Sequence, residues 1–74
     1  MAVDIELAGQ LESRGEHRLS FVLEGPMTVR DVARHLGLDA EEIGLVAIDG
    51  RQSELDDLVP AECRLCLYPP VSGG

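Results

Sequence analysis

Only one stretch of this sequence repeats its apolar residues at helical spacing; the apolar segments around it read as strands. Val29, Val32, Ala33 and Leu36 fall three and four apart and form a single stripe. Val3, Ile5 and Leu7 alternate with Asp4 and Glu6, the pattern of a half-buried strand. The alternation resumes over 17–23, with Leu19, Phe21 and Leu23 on one face. The short polar link from Ala8 to Glu16, carrying Gly9 and Gly15, makes the two strands an antiparallel hairpin. Leu45 to Ile48 is an unbroken apolar run and reads as a buried central strand. Asp49-Gly50 is a tight-turn signal that returns the chain into Arg51–Ser53. Cys63 to Tyr68 is the last strand, with Cys63, Leu65 and Leu67 on one face. One helix cannot cover two faces of a sheet, so the expected fold is α+β: a single mixed sheet with the helix on one side. The first and last strands, each apolar on one face, are expected side by side in its middle.

The punctuation between these segments is equally specific. Gly25-Pro26 ends the second strand, because proline cannot donate to a ladder. Thr28 reads as a helix N-cap with Asp31 in the capping-box position, and Gly37 as the left-handed stop. Asp39 is placed to cap a short second turn over 40–43, and Pro60 closes the mixed stretch from Leu55 to Val59.

Charge narrows the function. Fourteen Asp and Glu stand against six basic residues, all Arg, for a formal net charge of −8 and no lysine. Such a chain is repelled by nucleic-acid phosphates and by anionic membrane surfaces, so neither is expected as a partner. A protein with a basic groove is the better expectation. No run approaches the roughly 18 apolar residues of a membrane span. The first residues alternate with acids and lack the basic start and apolar block of a signal peptide, so the cytoplasm is the expected location. The two cysteines, Cys63 and Cys66, have Cys-x-x-Cys spacing. Within a strand, side chains three apart point to opposite faces, so the sulfurs are not expected to share a metal, and no metal site is expected. No Ser-His-Asp, paired-acid or Cys-His arrangement is credible in so short a chain, which is expected to be non-catalytic alone.

The end of the sequence carries the chemistry. Pro69 and Pro70 fix φ and favour a stiff, extended exit from the sheet. Val71 and Ser72 follow, and then Gly73 and Gly74, which carry no side chain. A stiff stalk with a thin tip suits threading into a narrow channel and placing the Gly74 carboxylate deep inside another protein. A carboxylate is inert toward nucleophiles until ATP converts it to an acyl-adenylate, which sulfur or nitrogen can attack. The expected division is a domain over 1–68 and an extended, flexible tail over 69–74.

The ending Leu67-Tyr68-Pro69-Pro70-Val71-Ser72-Gly73-Gly74, with the Asp49-Gly50 turn and the helix start Thr28-Val29-Arg30-Asp31-Val32, resembles the ubiquitin-like sulfur carriers (the MoaD/ThiS family), above all the small subunit of molybdopterin synthase. The resemblance implies a β-grasp fold with a four- to five-stranded mixed sheet. It also implies a ubiquitin-activating-enzyme-like adenylyltransferase acting on Gly74, with ATP used by that enzyme and no cofactor bound by this chain. A persulfide donor would displace AMP and leave a C-terminal thiocarboxylate. The large synthase subunit would then take up the tail, and the sulfur would pass to a pyranopterin in molybdenum-cofactor biosynthesis. Related carriers supply sulfur for thiamine thiazole, cysteine or tRNA thiolation, and ubiquitin-like modifiers share the Gly-Gly end. The resemblance leaves these recipients open, with Ile5-Glu6-Leu7-Ala8-Gly9 and Pro60-Ala61-Glu62 departing from the synthase pattern. Without lysine, the chain cannot form a lysine isopeptide with a copy of itself. Glu54, Asp56, Asp57 and Glu62 are expected to cluster near the base of the stalk and to steer it to a basic rim.

Overall fold

The computed structural model describes residues 2–9 and 18–70 of the 74. Five strands form one mixed sheet: β1 (Ala2–Leu7), β2 (Arg18–Val22), β3 (Leu45–Ile48), β4 (Arg51–Ser53) and β5 (Arg64–Tyr68). Their spatial order is β2-β1-β5-β3-β4. β1 pairs antiparallel with β2 and parallel with β5, and β5 runs antiparallel to β3. The first and last strands thus lie together near the centre, as their patterning predicts.

The register explains the core. Ile5 pairs with Leu65 and Leu7 with Leu67, which puts the apolar side of both strands on one face. Helix α1 (Val29–His35) lies on that face and contributes Val29, Val32 and Ala33. All of these are buried, with Val3, Ile5, Val29, Val32, Leu65 and Leu67 at 0% exposure. Leu19, Phe21 and Leu36 pack against this cluster only half-buried, so the core is more central than the alternation predicts. β3 also differs from expectation. Only Val46 is buried, while Leu45 is exposed, because with a single helix on the sheet the other face stays open.

α1 is only seven residues long, and such a helix is marginal unless its ends are satisfied. The Thr28 hydroxyl accepts from the Asp31 N–H, and the Thr28 N–H donates to Asp31 Oδ2, both at 3.1 Å. The next two free donors are met by the stretch after β4: the Val29 N–H donates to the Asp57 carbonyl at 3.0 Å and the Arg30 N–H to that of Leu55 at 2.8 Å. At the other end Gly37, at φ +79°, closes a Schellman motif: Leu38 N–H donates to the Ala33 carbonyl and Gly37 N–H to that of Arg34. A 3₁₀ turn over Ala40–Glu42 follows, where the sequence predicts a short second turn. Asp49 and Gly50, at φ 51° and 82°, form the β3–β4 turn, and Asp49 Oδ1 accepts the Arg64 N–H, tying that turn to the start of β5.

The N-terminal box has a pH signature. Accepting the Thr28 N–H, and interacting with the Thr28 hydroxyl, holds the Asp31 carboxyl below its ordinary value, with smaller help from Arg34 and His35. A carboxyl whose folded pKa is lowered stabilises the fold above its unfolded pKa and loses that contribution as pH falls through the folded value. Asp31→Asn keeps an acceptor but no charge. Its melting temperature is expected to lie below wild type at neutral pH, with the gap narrowing as the buffer is acidified through the carboxylate range. A gap independent of pH would contradict this.

Candidate functional site: the root of the tail

β5 is a central strand, and at Tyr68 it hands the chain directly to Pro69 and Pro70. Neither proline has an N–H, so the ladder stops there. The last carbonyls of β5 are held from both sides: Ala8 N–H donates to the Leu67 carbonyl at 3.0 Å and Gly44 N–H to the Tyr68 carbonyl at 2.8 Å. Ala8 follows β1 and Gly44 precedes β3, so both neighbours of β5 grip its end. Pro69 is half-buried and Pro70 exposed. The other expected tail residues, Val71, Ser72, Gly73 and Gly74, lie outside the described residues, as do the expected link to Glu16 beyond Gly9 and His17, the expected first residue of the second strand.

The face of the sheet opposite α1 leads up to this root. Leu45 pairs with Tyr68 and Ala47 with Cys66, so these four share a narrow, largely apolar strip. Leu45 and Tyr68 are exposed although large and apolar, and both sit beside the point where the tail leaves. The strip is flanked by Glu6, which pairs with Arg18 at 3.2 Å, and by Arg64. Two large apolar side chains are thus exposed together beside the root of the tail.

Of the four acids expected near the stalk, Glu62 is displaced, while Glu54 and Asp56 line a groove together with Gly44 and Leu45. Glu62 precedes β5, its N–H bonded to the Ala2 carbonyl, so it lies at the opposite end of the sheet from Pro69. Asp56 pairs with Arg30 of α1 at 3.1 Å, and Asp57 Oδ2 accepts the Glu54 N–H at 2.9 Å. Asp56 and Asp57 thereby brace the β4–β5 connection, and Glu54, next to Ser53, the partner of Val46, stays on the Gly44–Leu45 side where the tail leaves. Residues adjacent in sequence diverge here because the connection runs back past the start of the helix.

Both cysteines are free thiols: Cys63 is buried in the core and Cys66 half-exposed on the open face. Burial pushes the Cys63 thiol pKa up, and the charges of Asp49 and Asp4 push the same way. Among the described residues no group of His, Cys, Asp and Glu is arranged to hold a metal. Iodoacetamide at neutral pH is expected to label Cys66 first and Cys63 only on unfolding, read by peptide mass mapping. Equal labelling rates would contradict the placement of Cys63.

Sequence reasoning missed the roles of Gly9 and Gly44. A Cβ at Gly9 would sit 2.9 Å from Pro69 Cγ, and one at Gly44 would sit 2.7 Å from Pro70 N and 2.8 Å from the Pro69 carbonyl oxygen. The signal becomes visible only once the pairing of β1 and β3 with β5 is known, since the two glycines are far apart in sequence and meet only across the end of β5.

A five-stranded mixed sheet in this order with one helix on one face is the β-grasp, ubiquitin-like fold. No protein-family model matches the chain, and no curated protein matches it. Solved structures do. SAMP1 (small archaeal modifier protein 1) from Haloferax volcanii superposes with a TM-score of 0.75 at 24% identity, covering 100% of both chains. A putative molybdopterin converting factor subunit 1 from Pyrococcus furiosus gives 0.74 at 17% identity, over 96% of this chain and 99% of that one. In the complex of subunits 1 and 2 of the molybdopterin-converting factor from Helicobacter pylori, the match is 0.65 at 16% identity, covering 100% of each chain. At these identities the likeness establishes the fold. No helix among the described residues is long and apolar enough to cross a membrane.

Proposed function

We propose that this chain is a sulfur carrier whose working group is the carboxylate of Gly74, and that its sulfur goes to molybdopterin assembly. The observation that carries this reading is the rooted exit of β5: a central strand, gripped on both sides, runs straight into Pro69-Pro70-Val71-Ser72-Gly73-Gly74 beside an exposed Leu45–Tyr68 strip. In the proposed sequence an adenylyltransferase joins the Gly74 carboxylate to AMP and releases pyrophosphate from ATP. The terminal sulfur of a persulfide displaces AMP to give an acyl disulfide. A second thiol then cleaves the sulfur–sulfur bond, leaving the thiocarboxylate on Gly74 and oxidising the donor thiols to a disulfide. A larger subunit would take up the loaded tail, a reading supported by the Helicobacter pylori match, in which subunits 1 and 2 form a complex. This chain binds no cofactor in the scheme, and the acyl group never leaves Gly74.

A second reading, a conjugated protein modifier, is favoured by the full-length match to SAMP1. It differs in the last step, where a lysine amine takes the activated acyl group. This chain has no lysine, so it would be attached singly and would build no lysine-linked chains of itself.

The first step is tested by pyrophosphate exchange. With a ubiquitin-activating-enzyme-like adenylyltransferase from the same source, exchange into ATP should depend on this chain and vanish when Gly74 is deleted. Exchange no greater than with enzyme alone, or exchange that survives the deletion, would overturn the carrier reading.

A further inference from the structure

Gly44 does not owe its identity to backbone conformation. Its φ lies outside the left-handed region, unlike Gly25, Gly37 and Gly50, which adopt positive φ and have open space where a Cβ would go. At Gly44 the constraint is space alone. An added Cβ would overlap Pro70 Cα, and its close contacts to Pro70 N and the Pro69 carbonyl oxygen are to backbone, which cannot swing aside as a side chain does. Gly9 adds a second wall, with its Cβ position 2.9 Å from Pro69 Cγ and 3.3 Å from Cδ. The same elements hold the preceding peptides by the Ala8 N–H and Gly44 N–H bonds. The first two residues of the stalk are therefore confined between two glycines and two hydrogen bonds, while their own φ angles are fixed by proline rings.

We infer that Gly44, with Gly9 opposite, is a positioning residue that sets the direction in which the tail leaves the sheet. This rests on the carrier reading, because direction matters only if Gly74 must arrive at a fixed point in another protein. An error at the root redirects the Pro69–Pro70 segment, whose φ angles are fixed, and so shifts the point from which the remaining residues must reach. A methyl filling the collar on one side would leave the Leu45–Tyr68 strip free to dock but would push the stalk aside and aim the carboxylate away from ATP. Misplacement of a reacting group by about 1 Å costs on the order of 100-fold in rate.

The test compares wild type, Gly44→Ala and the double variant Gly44→Ala with Pro70→Gly, using the pyrophosphate-exchange assay above with hydrogen exchange at the amides of residues 8 and 44. In Gly44→Ala the amide of residue 44 should lose protection, and kcat should fall by about 10–100-fold while KM changes by less than about threefold. The double variant frees φ at position 70 so that the backbone can step away from the methyl. It should recover thermal stability without recovering kcat, which also covers the case where the single variant folds poorly. A kcat that returns together with stability, or one unchanged in Gly44→Ala, would overturn the inference while the carrier reading stands. An inert wild-type chain would instead overturn the carrier reading on which it rests.

Discussion

Gly73→Val is expected to melt at the wild-type temperature and to be activated at least about 100-fold more slowly, or not at all. The expectation of unchanged stability follows from position. Among the described residues the core is built from β1, α1, β3 and β5 with Leu23, Leu38, Ile43, Val59 and Cys63 from the connections, and neither Pro69 nor Pro70 belongs to it. The expected loss comes from steric reach. Within the proposed channel, the last residues must pass with backbone alone, and a branched Cβ adds width at the narrowest point while restricting φ and ψ. Deleting Gly74 should look the same in both measurements. Normal activation of Gly73→Val would mean that the tip is not threaded. A large drop in melting temperature would mean that the tail belongs to the fold.

The opposite pattern is expected of Leu65→Ala. Leu65 is 0% exposed on β5, paired with Ile5 of β1 and Ile48 of β3, so its side chain sits under α1 with neighbours on both sides. Removing a buried leucine side chain typically costs about 2–5 kcal/mol, the higher figures arising where the site cannot collapse. A chain of this length has a total stability of only about 4–11 kcal/mol. The melting temperature should therefore fall by at least about 10 °C. Activation measured at a temperature where the variant remains folded should match wild type, since the root of the tail is intact. A shift of only a degree or two would place Leu65 outside the core.

Much of this architecture is legible in the order of residues alone. The period-two segments mark β1 and β5, and Thr28, Asp31 and Gly37 mark both ends of α1 to within a residue. These succeed because each is a local rule: alternation, a cap, a left-handed stop. What cannot be read is whatever depends on which strands meet. The exposure of Leu45 follows from a sheet covered on one side only, although an unbroken apolar run reads as fully buried. The scattering of Glu62 away from Asp56 and Asp57 follows from the path of a connection that also satisfies the Val29 and Arg30 amides. The fit of Gly9 and Gly44 around Pro69 and Pro70 is a contact among three distant segments. For the tail itself, the order of residue types suggests the chemistry, while the structure contributes its point of departure, a central strand held on both sides.

Sulfur carriage is tested most directly by the intact mass of the chain after incubation with its adenylyltransferase, ATP, a persulfide donor and a thiol reductant. The expected result is a gain equal to the replacement of one oxygen by one sulfur, lost on treatment with iodoacetamide in favour of a carboxamidomethyl thioester, and located by fragmentation to Gly74. An unchanged mass, or a gain that persists in the chain lacking Gly74, would contradict it.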